Sequence, residues 1–154
     1  GPSTAAAPAS ASRPPATELP APPQAVAVSK DGPMQMELIG HRITSRGIIL
    51  NVLVTRTSGG DSAMHFSGPN TITGVKVVTS DGYELARGSV VPPSSTYGRP
   101  DADVGVLENT PIRLSYIFEG KFERPVLCSK IELRARDRSA RYAFRFSDVL
   151  VSPE

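Results

Sequence analysis

CSKIELRARDRSARYAFRFSDVLV, running from Cys128 to Val151, is the stretch that decides the fold. Ile131, Leu133 and Ala135 alternate with Glu132, Arg134 and Arg136. After a polar break at Asp137–Ser139, Tyr142, Phe144 and Phe146 alternate with Arg141, Ala143 and Arg145. A period of two with one apolar and one charged side is the pattern of an antiparallel hairpin that covers a core with one face and meets water with the other. The stretch therefore predicts a terminal β-hairpin with a basic outer face.

Working back towards the N-terminus, Pro111–Glu119 (PIRLSYIFE) alternates in the same way, with Ile112, Leu114, Tyr116 and Phe118 inward. Ile72–Thr79 (ITGVKVVT) and Tyr83–Val91 (YELARGSVV) flank Ser80-Asp81-Gly82. Asp-Gly between two β-rich runs is a strong hairpin signal, because Gly accepts the positive φ of such turns. A brief Ala63–Phe66 segment lies between loop signals at Ser58–Ser62 and Ser67–Asn70. Ile48–Thr57 (IILNVLVTRT) is apolar on both faces, which predicts a central strand covered on both sides. Met34–Thr44 (MQMELIGHRIT) reads as the first strand, with Gly40 marking a bulge. About seven strands, turn signals at sandwich-like spacing and no helical period define an all-β chain, an antiparallel β-sandwich.

The chain has 154 residues, enough for one domain and a tail. Residues 1–33 are mostly Ala, Pro and Ser, and Gly1-Pro2-Ser3 reads as the scar of a cleaved tag. Such a segment has too little apolar surface to offset the entropy of ordering it, so it is expected to be a disordered linker before a domain at 34–154. The formal net charge of +2 carries no global commitment to nucleic acid or to an anionic membrane. A single cysteine, Cys128, excludes an intrachain disulfide and a multi-cysteine zinc site. No run approaches the roughly eighteen apolar residues of a membrane helix, so any membrane attachment is expected through an anchor outside this sequence.

Motifs that carry chemistry are missing. There is no nucleophile elbow, no phosphate-binding glycine loop, no H-E-x-x-H and no Cys/His cluster, so neither a cofactor nor a catalytic residue is expected. His41 and His65 lie in different segments, and with Asp61 they fall short of a converging metal-ligand set. Asp101-Ala102-Asp103 has the alternation of a calcium loop, but Ile112 stands where the bidentate Glu belongs, so no metal site is expected. Cys128 opens a strand without a nearby histidine and reads as a core or edge residue rather than a nucleophile.

Two surfaces remain as binding candidates. Pro92–Thr110 is the longest interior segment without periodicity and is expected to be a functional loop, with Tyr97, Arg99, Asp101 and Asp103 as its polar and aromatic contacts. Lys130, Arg134, Arg136, Arg141 and Arg145 lie within sixteen residues, and Arg113 is expected to join them from another strand. Such a face suits phosphates, anionic lipids, acidic glycans or an acidic protein patch. Nucleic acid is the weaker match, because Tyr142, Phe144 and Phe146 are expected to be buried rather than available for stacking.

Taken in order, the Pro-rich spacer, IILNVLVTRT, VKVVTSDGYEL, PIRLSYIFEG and FRFSDVLV resemble the immunoglobulin-like domains of bacterial extracytoplasmic proteins, lipoproteins among them, over Met34 to Val151. One Cys and no Trp exclude the Cys…Trp…Cys core of antibody-type domains. The resemblance implies a non-enzymatic interaction or assembly module of the cell envelope, in the periplasm or at the cell surface, with a protein partner. The alternative expectation is a binder of an anionic ligand, nucleic acid or acidic polysaccharide, through the arginine face.

Overall fold

A computed structural model describes residues 25–154. Most of the segment expected to be a linker, residues 1–24, lies outside the described residues. Its end does not behave as a linker, because Ala27–Asp31 is a strand, β1. It pairs antiparallel with β2 (Met34–Thr44), Val28 opposite Glu37, through a turn at Gly32 whose φ is +57°. The segment was expected to be disordered from its Ala/Pro/Ser composition. Val26, Ala27 and Val28 nevertheless supply a short β-forming run that an existing sheet edge can accept.

The other strands are β3 (Gly47–Arg56), β4 (Ser62–Ser67), β5 (Lys76–Thr79), β6 (Glu84–Leu85), β7 (Gly88–Val91), β8 (Asp101–Val106), β9 (Ile112–Glu119), β10 (Val126–Arg136) and β11 (Arg141–Val151). Eleven strands among the described residues replace the expected seven. The difference comes from β1, from β4, expected only as a brief segment between loops, from β8 inside the segment expected to be a loop, and from the division of Tyr83–Val91 between two sheets.

One sheet runs β1-β2-β3-β9-β7 and the other β6-β5-β10-β4-β8, with β11 along the opposite edge of β10. Every named strand pair is antiparallel. β3 is the middle strand of its sheet, as its two apolar faces required. Ile48, Leu50, Val52 and Val54 point into the core with Met36, Tyr116 and Phe118, where they meet Phe66, Ile131, Leu133 and Phe144 of the other sheet. On its outer side Ile49 and Ile117 are also buried. Gly98 of the Pro92–Pro100 loop sits against Ser89 and beside Ile117, so this loop is a cover for the sheet. The bulge expected at Gly40 is present as a register shift between Leu38 and Gly40.

β10 is the spine of the second sheet. Its full length pairs with β11, while its other edge is shared by β5 opposite Cys128–Glu132 and by β4 opposite Ala135–Arg136. β4 and β5 follow one line along β10, interrupted by the excursion Gly68–Gly74. The inward set on β11 shifts from Tyr142, Phe144 and Phe146 to Val149 and Val151, across Asp148 with φ +56°. This shift turns the cross-strand pair Leu127 and Leu150 outward, 38% and 57% exposed.

The edges at β1, β11 and β7 are blunted. Ser29 Oγ and Asp31 Oδ2 of β1 accept the backbone N–H groups of Arg145 (3.0 Å) and Ala143 (2.9 Å) on β11. On the opposite side Arg99 exchanges two backbone hydrogen bonds with Val90 of β7. Covering strand edges in this way removes the template for pairing with another chain.

Candidate functional site

The outer face of the β10–β11 hairpin carries charges in rows, because antiparallel pairing sets residues of neighbouring strands directly opposite one another. In one row Arg145, Glu132 and Lys76 follow across β11, β10 and β5, and Lys76 reaches Glu84 of β6 at 3.1 Å. The signs alternate. Glu132, 6% exposed, is the hub: Arg145 Nε lies 3.1 Å from Oε1 and Arg134 Nε 3.0 Å from Oε2, with a second Arg134 contact through Nη2. Lys130 Nζ adds a longer approach at 4.0 Å. Burial by itself would raise the Glu132 carboxyl, but the hydrogen bonds and charges of Arg134 and Arg145 outweigh it and hold the group below its ordinary range.

Two rows along the same face, past Arg134 opposite Ala143, this rule breaks. Arg141 of β11 is directly opposite Arg136 of β10, followed by His65 of β4 and Asp103 of β8. His65 is engaged with Asp103 (Nδ1, 2.8 Å) and lies 3.7 Å from Asp101 (Nε2). Arg136 and Arg141 are exposed, and neither has a carboxylate partner among the described residues. The nearest candidate acids are committed elsewhere, Asp137 to Arg56 and Asp31 to the Ala143 N–H. Like charges placed directly opposite destabilise a sheet, so this pair is a local electrostatic deficit on a face whose carboxylate Glu132 already serves Arg134 and Arg145.

Beside the pair is a pocket of about 330 Å³ lined by Arg134, Arg136, Arg141, Tyr142, Asp31 and Ile72 among others. Ile72 stands on the Gly68–Gly74 excursion and is 92% exposed. Its position is built: Asn70 Oδ1 accepts the Ile72 N–H at 2.7 Å, Asn70 O accepts the Gly74 N–H at 3.1 Å, and the Asn70 N–H donates to Val75 O at 3.0 Å. Gly74, φ +80°, lets the loop settle on the Arg134 guanidinium, whose atoms would be 3.4 Å from a Cβ there. Sequence reasoning assigned Ile72 to a strand. Pro69-Asn70 before it and Gly74 after it were the available turn signals.

The other expected site residues divide into separate places. Arg134, Arg136, Arg141 and Arg145 share one face as expected, with Lys130 further along it. Arg113 does not join them, because it lies on the outer side of β9 in the other sheet, opposite Leu53. The expected loop site also comes apart. Tyr97, 78% exposed, and Arg99 belong to the cover of the first sheet, whereas Asp101 and Asp103 lie on β8 and turn to His65. Asp101-Ala102-Asp103 alternates because it is a strand, so the long segment is not one loop. Cys128 is fully buried and its thiol is pushed up to about 11 by desolvation, as a core residue should be. Among the described residues no three His, Cys, Asp or Glu side chains group as metal ligands.

The fold and this face define a class: an all-β antiparallel sandwich with a basic hairpin surface. Comparison with known proteins finds no matching family model, no matching curated protein and no matching solved structure.

Proposed function

We propose that this chain is a non-enzymatic interaction module of the bacterial cell envelope that holds an acidic protein partner against the outer face of the β10–β11 hairpin. The observation that carries this reading is the Arg136–Arg141 pair. Two opposed guanidiniums without an acid among the described residues, two rows from a row in which the signs alternate, are an arrangement that an incoming carboxylate relieves. The envelope placement rests on the resemblance of the layout, an Ala/Pro-rich segment ahead of an immunoglobulin-like sandwich. The blunted edges at β1, β11 and β7 favour a side-chain interface over strand addition there.

The alternative, an anionic ligand such as nucleic acid or acidic polysaccharide, uses the same arginines. Tyr142, 6% exposed, is turned inward, and the exposed Tyr83 and Tyr97 lie off this face, so the stacking surface of a single-strand binder is missing from it. Pull-downs from envelope extract at low and high salt, with the wild-type chain and its Arg141→Glu variant as baits, test the reading. A protein retained by wild type and released by the variant supports it. Retention that ignores the charge reversal counts against it, and capture only of nucleic acid or glycan, lost at high salt, moves the assignment to the alternative.

A further inference from the structure

We infer that Ile72 is the apolar anchor of the same interface, and that the partner segment carries an aliphatic side chain beside its carboxylate. This inference rests on the acidic-partner reading and adds the second half of the recognition. An isoleucine 92% exposed is ordinary at a frayed loop tip, but Ile72 is held out by the hydrogen bonds around Asn70 and by the seating of Gly74 on Arg134. The loop is thus pre-organised, and little ordering entropy remains to oppose docking. Ile72, Arg136 and Arg141 line one pocket, so a single short segment reaches all three.

The charges state what that segment carries. Arg134 is committed to Glu132, which leaves Arg136 and Arg141 as the donors without an acid among the described residues, and a carboxylate supplies the partner that neither has. Asp31, at the rim of the pocket, disfavours a second acid on its side. A segment of acid and aliphatic residues in alternation meets these demands, whereas an all-acidic one satisfies only the arginines. A lipid surface of anionic headgroups is the competing source of negative charge.

Fluorescence anisotropy with two labelled decapeptides, one of alternating Glu and Leu and one of Glu alone, tests the inference on the full chain and on Ile72→Ser, Arg136→Glu and Arg141→Glu. The expected result is that the Glu/Leu peptide binds wild type about tenfold or more tightly than the Glu peptide, the order of effect of burying one aliphatic side chain. Ile72→Ser should remove that advantage without changing binding of the Glu peptide, and either charge reversal should weaken both. Equal loss of both peptides, or of neither, in Ile72→Ser overturns the anchor while leaving the arginine reading in place. Binding of neither peptide by wild type, or binding indifferent to both charge reversals, overturns the arginine reading as well. Vesicles of phosphatidylcholine and phosphatidylglycerol at 3:1 form the last arm; Ile72-dependent binding to these with no peptide binding overturns the protein partner in favour of a membrane surface.

Discussion

Arg56 of β3 and Asp137 of the β10–β11 turn, 81 residues apart, form an ion pair of 3.2 Å between side chains only 10% and 4% exposed. Arg56 Nε also donates to Gly60 O at 2.8 Å. Asp137 accepts the N–H groups of Ser139 and Ala140 at 2.8 and 2.9 Å, and the hydroxyls of Ser62 and Tyr142, both at 3.3 Å. The pair therefore ties the hairpin turn to the β3–β4 connection and sets the direction of the strands that carry Arg136 and Arg141. Removing one member of this part-buried pair strands the other, so Asp137→Ala should lose about 1–3 kcal/mol in urea unfolding. Asp137→Asn, which keeps one oxygen acceptor, should lose less.

Acid should act through the same residue. Burial favours the neutral form of Asp137, but the Ser139 and Ala140 N–H groups, the Tyr142 hydroxyl and the Arg56 charge together hold its carboxyl below the ordinary range. Glu132 is held down in the same direction. A carboxyl depressed in the folded state contributes stability above its unfolded pKa, about 4 for these groups, and that contribution is lost as pH falls through the folded value. Unfolding midpoints should thus be level near neutrality and fall below about pH 4. Asp137→Asn should flatten that acid limb, and an unchanged limb would show that other carboxyls control it.

The arginine pair should lower stability in the free protein. Arg141→Glu places a carboxylate opposite Arg136 and should raise stability by about 0.2–1 kcal/mol, the range of opposed cross-strand charges. The same variant should lose the acidic partner. A gain in stability joined to a loss of binding is the signature of a site held against the interest of the fold. If Arg141→Glu destabilised the domain instead, the guanidiniums would have a structural role.

Tyr116 is wholly buried, and its hydroxyl has no hydrogen-bond partner among the described residues. Its ring packs on Phe118 with centroids 6.5 Å apart, so the ring is what the core uses. Burial alone pushes the phenol well above its usual range. An unsatisfied buried hydroxyl costs about 1–3 kcal/mol. Tyr116→Phe should raise the urea midpoint without changing the m-value.

Gly98 measures the role of the Pro92–Pro100 loop. A Cβ there would run into Ser89, its Cβ at 2.7 Å and its Oγ closer still, on the face that covers Ile117. Gly98→Ala should cost about 1–3 kcal/mol as overpacking, and adding Ser89→Gly should return much of it. A neutral Gly98→Ala would show that the loop does not press on the sheet.

Strand identity was largely legible. Met34–Thr44 is a strand over those same residues, β3 is central, the Asp-Gly turn joins β5 to β6, and Tyr142, Phe144 and Phe146 are inward. The apolar alternation is local, so it can be read without knowing any partner strand. Length and neighbours were less legible. β8 hides behind Pro100 because Asp101 and Asp103 mask its short apolar side, and β1 exists because an edge of β2 was available to it.

By itself the sequence determined an all-β chain with a terminal hairpin and a basic outer face, since period-two burial and the charge of each residue are local properties. Only the tertiary structure decided which of those charges are spent. Glu132 meets Arg145 and Arg134, Arg136 meets Arg141, and Arg113 faces away on the other sheet, because register and sheet membership are set by packing between segments far apart in the chain. Ile72 is the clearest case: its apolar character was visible from the start, and its exposure came from an excursion that only the β4–β5 line along β10 explains.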